Sequence, residues 1–309
     1  MITRLGLGLA QAGGLYRTTG EQQAVATIDA AWQRGLRLFD TAPLYGYGLS
    51  EQRAGRALAA RPRDQFVLST KVGYVLEPDG PDGQDGWPEG DNVGLTPRFD
   101  FSYAGTYRSL EDSLSRLGLH KVDLLHIHDP DHHFEQAVSG SYRALTELRA
   151  AGVVGAISVG MCQAPMLERF LREVDGPGFD CVMLAGRYTL LDQSGLDSLL
   201  PLCLERGIAV LAAGVYNSGL LSNPTPGSHY DYAPPSQAML TRALALRDVC
   251  ERHGVPLRAA ALQFPLTHPA VTAVIVGARS PEQVDDNIVM FDHPIPDGLW
   301  TDLRRRGLL

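Results

Sequence analysis

The sequence predicts a parallel α/β barrel of the (β/α)8, or TIM, type. Eight short β-branched runs occur, each followed by a helical pattern. The strands are apolar along nearly their whole length, which marks parallel strands covered on both faces, and eight of them close a barrel. A doubly wound open sheet is the alternative. Against it, no G-x-G-x-x-G follows the first strand; "GLGLAQAGG" is rich in glycine but lacks that spacing.

The elements alternate in order. The strand "RLGLGLA" precedes the helix "GEQQAVATIDAAWQRG", and "LRLFD" precedes "SEQRAGRALAA". "FVLSTK" is the third strand, and a long loop separates it from the helix "TYRSLEDSLSRLG". "VDLLHIH" leads to "SYRALTELRAAG", "VGAISVG" to "APMLERFLREV", and "FDCVMLA" to "LDSLLPLCLERG". "IAVLAAG" leads to "SQAMLTRALALRDVCERHG", and "VTAVIVG" to "SPEQVDDNIVMF". Several helical runs close on glycine (Gly35, Gly118, Gly152, Gly207, Gly254), as helix C-termini often do. One barrel accounts for residues 1–309, so a single domain is expected.

Composition narrows the function. The 309 residues are 44% hydrophobic, ample for a large core, and the formal net charge is -8. An acidic chain without a basic face argues against nucleic-acid binding. No apolar run approaches the roughly 20 residues that span a bilayer. The N-terminus lacks the charged-then-apolar layout of a signal peptide. Cys162, Cys181, Cys203 and Cys250 are scattered with no C-x-x-C pair, so disulfides and zinc ribbons are not expected and a reduced cytoplasm fits.

The chemistry of a barrel sits at the C-terminal strand ends. Those ends carry Asp40, Lys71 and His128, and Tyr45 follows in the loop after Asp40. "FDTAPLYGYGLSE" thus places an acid at the end of an apolar run and two tyrosines in the turn beyond it. A buried carboxylate needs partners. Asp40, Tyr45, Lys71 and His128 together make a proton-handling cluster.

These residues resemble the motifs of the aldo-keto reductase family, and the likeness runs over essentially the whole chain. "FDTAPLYGYGLSE" resembles its Asp-plus-Tyr segment, "LSTKVG" its lysine strand, "DLLHIHDPD" its histidine strand and "VIVGARSPEQVDDN" its cofactor segment. All four in order form a specific pattern. "VGAISVGMCQ", "LAGRYTLLDQ" and "HDPDHHFEQA" resemble the aldose 1-dehydrogenase branch, which also includes a pyridoxal dehydrogenase. The resemblance implies oxidation of an aldose of the L-fucose, L-galactose or D-arabinose type at C1 to the lactone, with hydride passing to a nicotinamide. Oxidation of pyridoxal and general aldehyde or ketone reduction are the alternatives. Tyr45 would exchange the proton, Lys71 would favour its phenolate, Asp40 would hold Lys71, and His128 would orient the substrate oxygen. Tyr47 is the competing tyrosine.

The family's usual carboxamide-holding residues are replaced here by Gly160, Met161 and Ala185, which leaves Gln163 as the candidate. At the adenosine end, Gly277, Ala278, Arg279, Gln283 and Asn287 are implied, with Ser280 and Gln283 forming a capping box at a phosphate-favouring helix start. The loop with Tyr216, Ser218, Gly219 and Leu220 suits a strap across the pyrophosphate. The long loop after the third strand is expected to wall the substrate pocket, with Trp87, Phe99 and Tyr103 stacking on a sugar; His132 and His133 lie nearby. Between Gly277 and Asn287 one cation, Arg279, faces Glu282, Asp285 and Asp286. A preference for NAD follows, with NADP usable.

A rival enzyme class also follows from the sequence. His126 and His128 are two apart on one strand and point the same way, so a metal-dependent barrel hydrolase could use them; otherwise His126 is a core histidine. A non-enzymatic barrel is a third class. The reductase reading implies no metal. It implies a small sugar or aldehyde as partner, and neither nucleic acid nor membrane.

Overall fold

Alternation of apolar strands with amphipathic helices yields, in a computed structural model describing residues 3–78, 94–231 and 233–309, a closed parallel barrel. The first half contains β1 (Leu5–Gly8), α1 (Glu21–Gln33), β2 (Leu38–Asp40), α2 (Leu49–Leu58), β3 (Val67–Val72), β4 (Tyr74–Pro78), β5 (Leu95–Phe99), α3 (Tyr103–Leu117) and β6 (Val122–His128). There follow α4 (Phe134–Gln136), α5 (Arg143–Ala150), β7 (Val154–Met161), α6 (Ala164–Glu173), β8 (Cys181–Ala185), α7 (Leu199–Arg206) and β9 (Ala209–Ala213). The chain closes with α8 (Gln237–Arg252), α9 (Leu257–Gln263), β10 (Val271–Gly277), α10 (Pro281–Asp292) and α11 (Asp297–Arg305). The barrel order is β1-β10-β9-β8-β7-β6-β3-β2, so all eight predicted strands are its staves. Gly118 and Gly207 end α3 and α7 at φ 66° and 65°, the left-handed region that a residue with a Cβ enters at a cost.

Strand periodicity decides which side chains meet at the mouth. Leu38, Leu124, Cys181, Met183, Leu211 and Ile275 pack together as a small cluster apart from the larger core. Side chains two apart share a face. Asp40 therefore lies on the face of Leu38, and His126 and His128 lie on the face of Leu124. Register then sets Ser69 opposite Asp40, His126 opposite Lys71, and Gly160 opposite His128. The polar residues form the layer above this apolar filling, on the three neighbouring strands β2, β3 and β6.

Three parts of the fold differ from the expected alternation. The segment after β3 is not a plain loop at its ends: β4 and β5 pair antiparallel, with Tyr74 opposite Phe99. Helices α9 and α11 are additional, and a π-helical turn (Ala137–Tyr142) joins α4 to α5. Among the described residues no helix is long and apolar enough to cross a membrane, and the four cysteines are free thiols.

Thr70 points to the other face of β3, away from Lys71. Its Oγ1 donates to the fully buried Glu51 (2.5 Å), and Arg116 on α3 pairs with Glu51 at 2.7 Å. This pair fastens the start of α2 to α3 behind the site. Breaking it strands a buried charge, so Arg116→Ala should lower unfolding stability by about 3–5 kcal/mol. Urea unfolding of the two proteins at neutral pH checks this; a change under about 1 kcal/mol would mean the pair contributes no more than an exposed one.

Candidate active site

Asp40 ends β2 with its side chain 3% exposed and both carboxylate oxygens engaged. Ser69 donates to Oδ1 at 2.7 Å, and Lys71 Nζ lies 2.7 Å from Oδ2. Lys71 also donates to the Thr41 carbonyl at 2.8 Å, and its Nζ sits 4.6 Å from the centre of the Tyr45 ring. The sequence did not single out Ser69, though its spacing of two from Lys71 on one strand places both on the same face.

Tyr45 is held by its turn rather than by a regular element. Its N–H donates to Ala42, and its carbonyl accepts from Ser50. Gly13, in the loop after β1, packs backbone against backbone on it: a Cβ at Gly13 would stand 2.5 Å from the Tyr45 carbonyl carbon. Only glycine permits that approach. Burial pushes the Tyr45 hydroxyl well above the ordinary range, and the negative charges of Asp40 and Asp129 push the same way.

His128 ends β6 with its ring edge-on to Tyr45 (5.9 Å) and to Tyr74 of β4 (5.5 Å). Burial lowers its pKa well below the usual value, with Lys71 and His126 adding to the effect. A neutral imidazole results, able to donate one hydrogen bond. Its Nδ1 is buried with no partner among the described residues, while Nε2 faces Asp129 Oδ2 at 3.6 Å. Asp129 is itself displaced, to about 7, chiefly by desolvation and then by Asp131. Its side chain is 41% exposed, and its charge acts on Tyr45, Tyr74 and Cys162.

The other expected mouth residues divide. His126 is fully buried, 3.8 Å from Asp40, with a pKa pulled to about 3 by burial. It is a core histidine, and among the described residues no three His, Cys, Asp or Glu side chains converge as metal ligands. His132 projects into solvent (90% exposed) beside Asp131, rather than packing at the site. His133 instead packs on Phe99 and Phe101. Tyr103 is a correction too: its hydroxyl bonds Glu147 of α5 and its ring meets Tyr107 and Arg143, all on the outer helices. Trp87 lies outside the described residues. Tyr74, unnoticed in the sequence, is the aromatic that joins the β4–β5 hairpin to His128.

Residues 4–305 match the aldo/keto reductase family. The chain belongs to that family. It is 42% identical to a pyridoxal 4-dehydrogenase from Microbacterium luteolum and 40% identical to a D-threo-aldose 1-dehydrogenase from a Pseudomonas species, covering all of this chain and 95% of each relative. An L-galactose dehydrogenase from Arabidopsis thaliana is 30% identical over 93% of this chain and 83% of its own. Among solved structures, a glycerol dehydrogenase from Gluconobacter oxydans superposes with TM-score 0.76 at 26% identity, covering 98% of this chain and 91% of that one. An aldo-keto reductase from Bacillus halodurans in its holo form gives 0.77 at 26%, covering 98% and 92%.

Aldo-keto reductases use nicotinamide cofactors, and the β9–β10–β1 side of the mouth has groups that suit one. Gln11 Oε1 after β1 and Asn217 Oδ1 after β9 are buried without partners among the described residues, one on each strand flanking β10. Asn217, 3% exposed and in the left-handed region at φ 46°, was not among the expected residues. Gly277 lies under the Gln11 side chain, where a Cβ would stand 2.3 Å from Oε1. Asn287 donates to the Gly277 carbonyl (3.3 Å) and accepts from Tyr216 (3.4 Å), so these three meet. Ser218 bonds Tyr16, which ties the strap to the loop after β1. Leu220, by contrast, is fully buried in the core and its N–H is taken by Asn217, so it anchors the strap. Ala278 is also buried, at 4% exposure. Gln163 is exposed and donates to Asp131 (3.2 Å).

The helix start of α10 differs in one respect from a simple capping box. Ser280 accepts from the Gln283 N–H, but Gln283 reaches back to the N–H of Arg279 (2.8 Å), one residue before the cap. The Arg279 guanidinium donates to the Arg17 and Leu15 carbonyls and to Thr19 Oγ1, at 2.8, 2.6 and 2.8 Å. It clamps the loop after β1 and is 9% exposed. Asp285 pairs with Arg34, and Asp286 with Arg258.

Proposed function

We propose that the protein oxidises an aldose at C1 to the lactone, with NAD as the hydride acceptor. The observation that carries this is the arrangement of Asp40, Lys71 and His128 on the adjoining strands β2, β3 and β6 with Tyr45 in the turn after β2. Its relatives include aldose and galactose dehydrogenases, and the carboxylates of Asp129 and Asp131 at the mouth suit a neutral, hydroxyl-rich substrate. His128, neutral, donates to the reacting oxygen. Tyr45 takes the hydroxyl proton as hydride departs. Lys71 above its ring stabilises the phenolate, and Asp40 with Ser69 holds Lys71 there. A bound oxidised nicotinamide supplies the hydride acceptor and a positive ring charge. The family's pyridoxal 4-dehydrogenase, at 42% identity, supports a second reading in which pyridoxal, as its internal hemiacetal, undergoes the same oxidation. L-Fucose, L-galactose, D-arabinose and pyridoxal, each with NAD and NADP, form the test, with cofactor reduction and lactone formation as readouts. Turnover of pyridoxal alone selects the second reading, and no turnover of any of them overturns both.

The cofactor preference rests on different residues from those the sequence suggested. The acids Asp285 and Asp286 are already neutralised by Arg34 and Arg258. What disfavours a 2′-phosphate is that Arg279 is buried and bonded three times to the protein, so a guanidinium that could pair with phosphate is occupied. We expect kcat/KM to favour NAD over NADP by severalfold. A tenfold preference for NADP, about 1.4 kcal/mol, would overturn this and point to the exposed Arg17 as the phosphate partner; Arg17→Ala would then abolish it.

A further inference from the structure

We propose that Asp129 is the residue by which this mouth selects substrates bearing a hydroxyl on the carbon next to the reacting one. The inference rests on the oxidoreductase reading of the site and adds its substrate class. Asp129 directly follows His128, and its Oδ2 is 3.6 Å from Nε2, the nitrogen left to meet the reacting oxygen. Its backbone is fixed: the N–H donates to the Gly160 carbonyl at 3.0 Å, and φ is 47°. A non-glycine residue in that region aims its side chain away from the path a strand would give it. Here the carboxyl turns back over the end of its own strand, beside the imidazole.

The neighbouring carboxylates are engaged. Asp40 accepts from Ser69 and Lys71, and Asp131 accepts from Gln163 with His132 3.3 Å away. No hydrogen bond reaches the Asp129 carboxyl from the described residues, and its side chain is 41% exposed. It is an acceptor waiting at the mouth. Two oxygens on adjacent carbons lie about a hydrogen-bond length apart, roughly 2.8 Å. With one on His128 Nε2, the other falls within reach of Oδ2. An aldose presents its C2 hydroxyl there, whereas the ring hydroxyl of pyridoxal stands one carbon further from its aldehyde carbon. A simple aldehyde presents nothing and leaves the carboxyl unpaired against carbon, which is where discrimination arises.

The test compares matched pairs: 2-hydroxypropanal with propanal in reduction, and an aldose with its 2-deoxy counterpart in oxidation. The readout is the kcat/KM ratio within each pair, for the wild type, Asp129→Gly and Asp129→Asn. Glycine removes the carboxyl without backbone strain at this φ, and asparagine keeps the shape and tolerates the left-handed region. At pH 9, above the Asp129 value of about 7 so that its carboxyl is ionised, the wild type should prefer the hydroxylated member by roughly tenfold to a hundredfold, the range for a hydrogen bond to a charged group. Asp129→Gly should bring the ratio within threefold, and Asp129→Asn should fall between. If both members of a pair lose equally, Asp129 merely supports His128 and the proposal is overturned. If no aldose reacts while the aldehyde pair shows the ratio and its collapse, the sugar reading fails and the role of Asp129 stands. Equal use of both aldehydes by the wild type, or turnover of neither, sinks the proposal.

Discussion

Tyr45→Phe is expected to lower kcat by about a hundredfold to ten-thousandfold, the range for removing a general acid–base group. The dissociation constant for the cofactor should move less than threefold, because the phenol acts at the chemical step. The structure sharpens this through pH. Burial among Asp40, Asp129 and Cys162 pushes the Tyr45 hydroxyl well above its ordinary range. Oxidation needs the phenolate, so its rate should climb with pH across the neutral and alkaline range; reduction uses the phenol and should stay flat there. Removing the hydroxyl should remove that climb. Pre-steady-state oxidation from pH 6 to 10 in both proteins reads it. A near-normal kcat in Tyr45→Phe would transfer the role to Tyr47, two residues on in the same turn at φ 51°, or to Tyr74 against His128.

The sequence reveals this site to the extent that the site depends on spacing along a strand. Asp40, Lys71 and His128 stand at the ends of apolar runs, and period-two alternation on three adjoining strands brings them together. What it conceals depends on partners distant in the chain. Arg279 reads as a free cation until its guanidinium is seen bonded to Leu15, Arg17 and Thr19, more than 250 positions earlier. Asp285 and Asp286 read as repulsive acids until Arg34 and Arg258 are placed beside them. Tyr103 looks like a pocket aromatic because the helix start is near the mouth, but the helix turns its ring outward to α5. The β4–β5 hairpin is hidden for another reason: its pairing depends on "YVLEP" and "LTPRF", short runs that alternate too weakly to stand out from a loop. Asp129 carries no sequence signal beyond its place after His128; its φ makes it a mouth residue.

Lys71→Met is the variant in which stability and chemistry should separate. Methionine keeps most of the buried volume and removes the charge, leaving the Asp40 side chain, 3% exposed, with only Ser69 as a hydrogen-bond donor. An uncompensated buried charge costs about 3–5 kcal/mol, so the single variant should unfold at clearly lower urea concentration. Its kcat should also fall by at least a hundredfold, because nothing then favours the Tyr45 phenolate. Converting the partner as well, in Asp40→Asn with Lys71→Met, removes the stranded charge. A buried ion pair replaced on both sides is often neutral, so the double variant should recover most of the lost stability. It should recover none of the activity, since the ammonium 4.6 Å from the Tyr45 ring is still missing. Urea titrations and steady-state rates on the wild type, both single variants and the double variant complete the cycle. Activity that returned together with stability would show the pair to be a structural fastening of β2 to β3, and the phenolate would then need another source of positive charge.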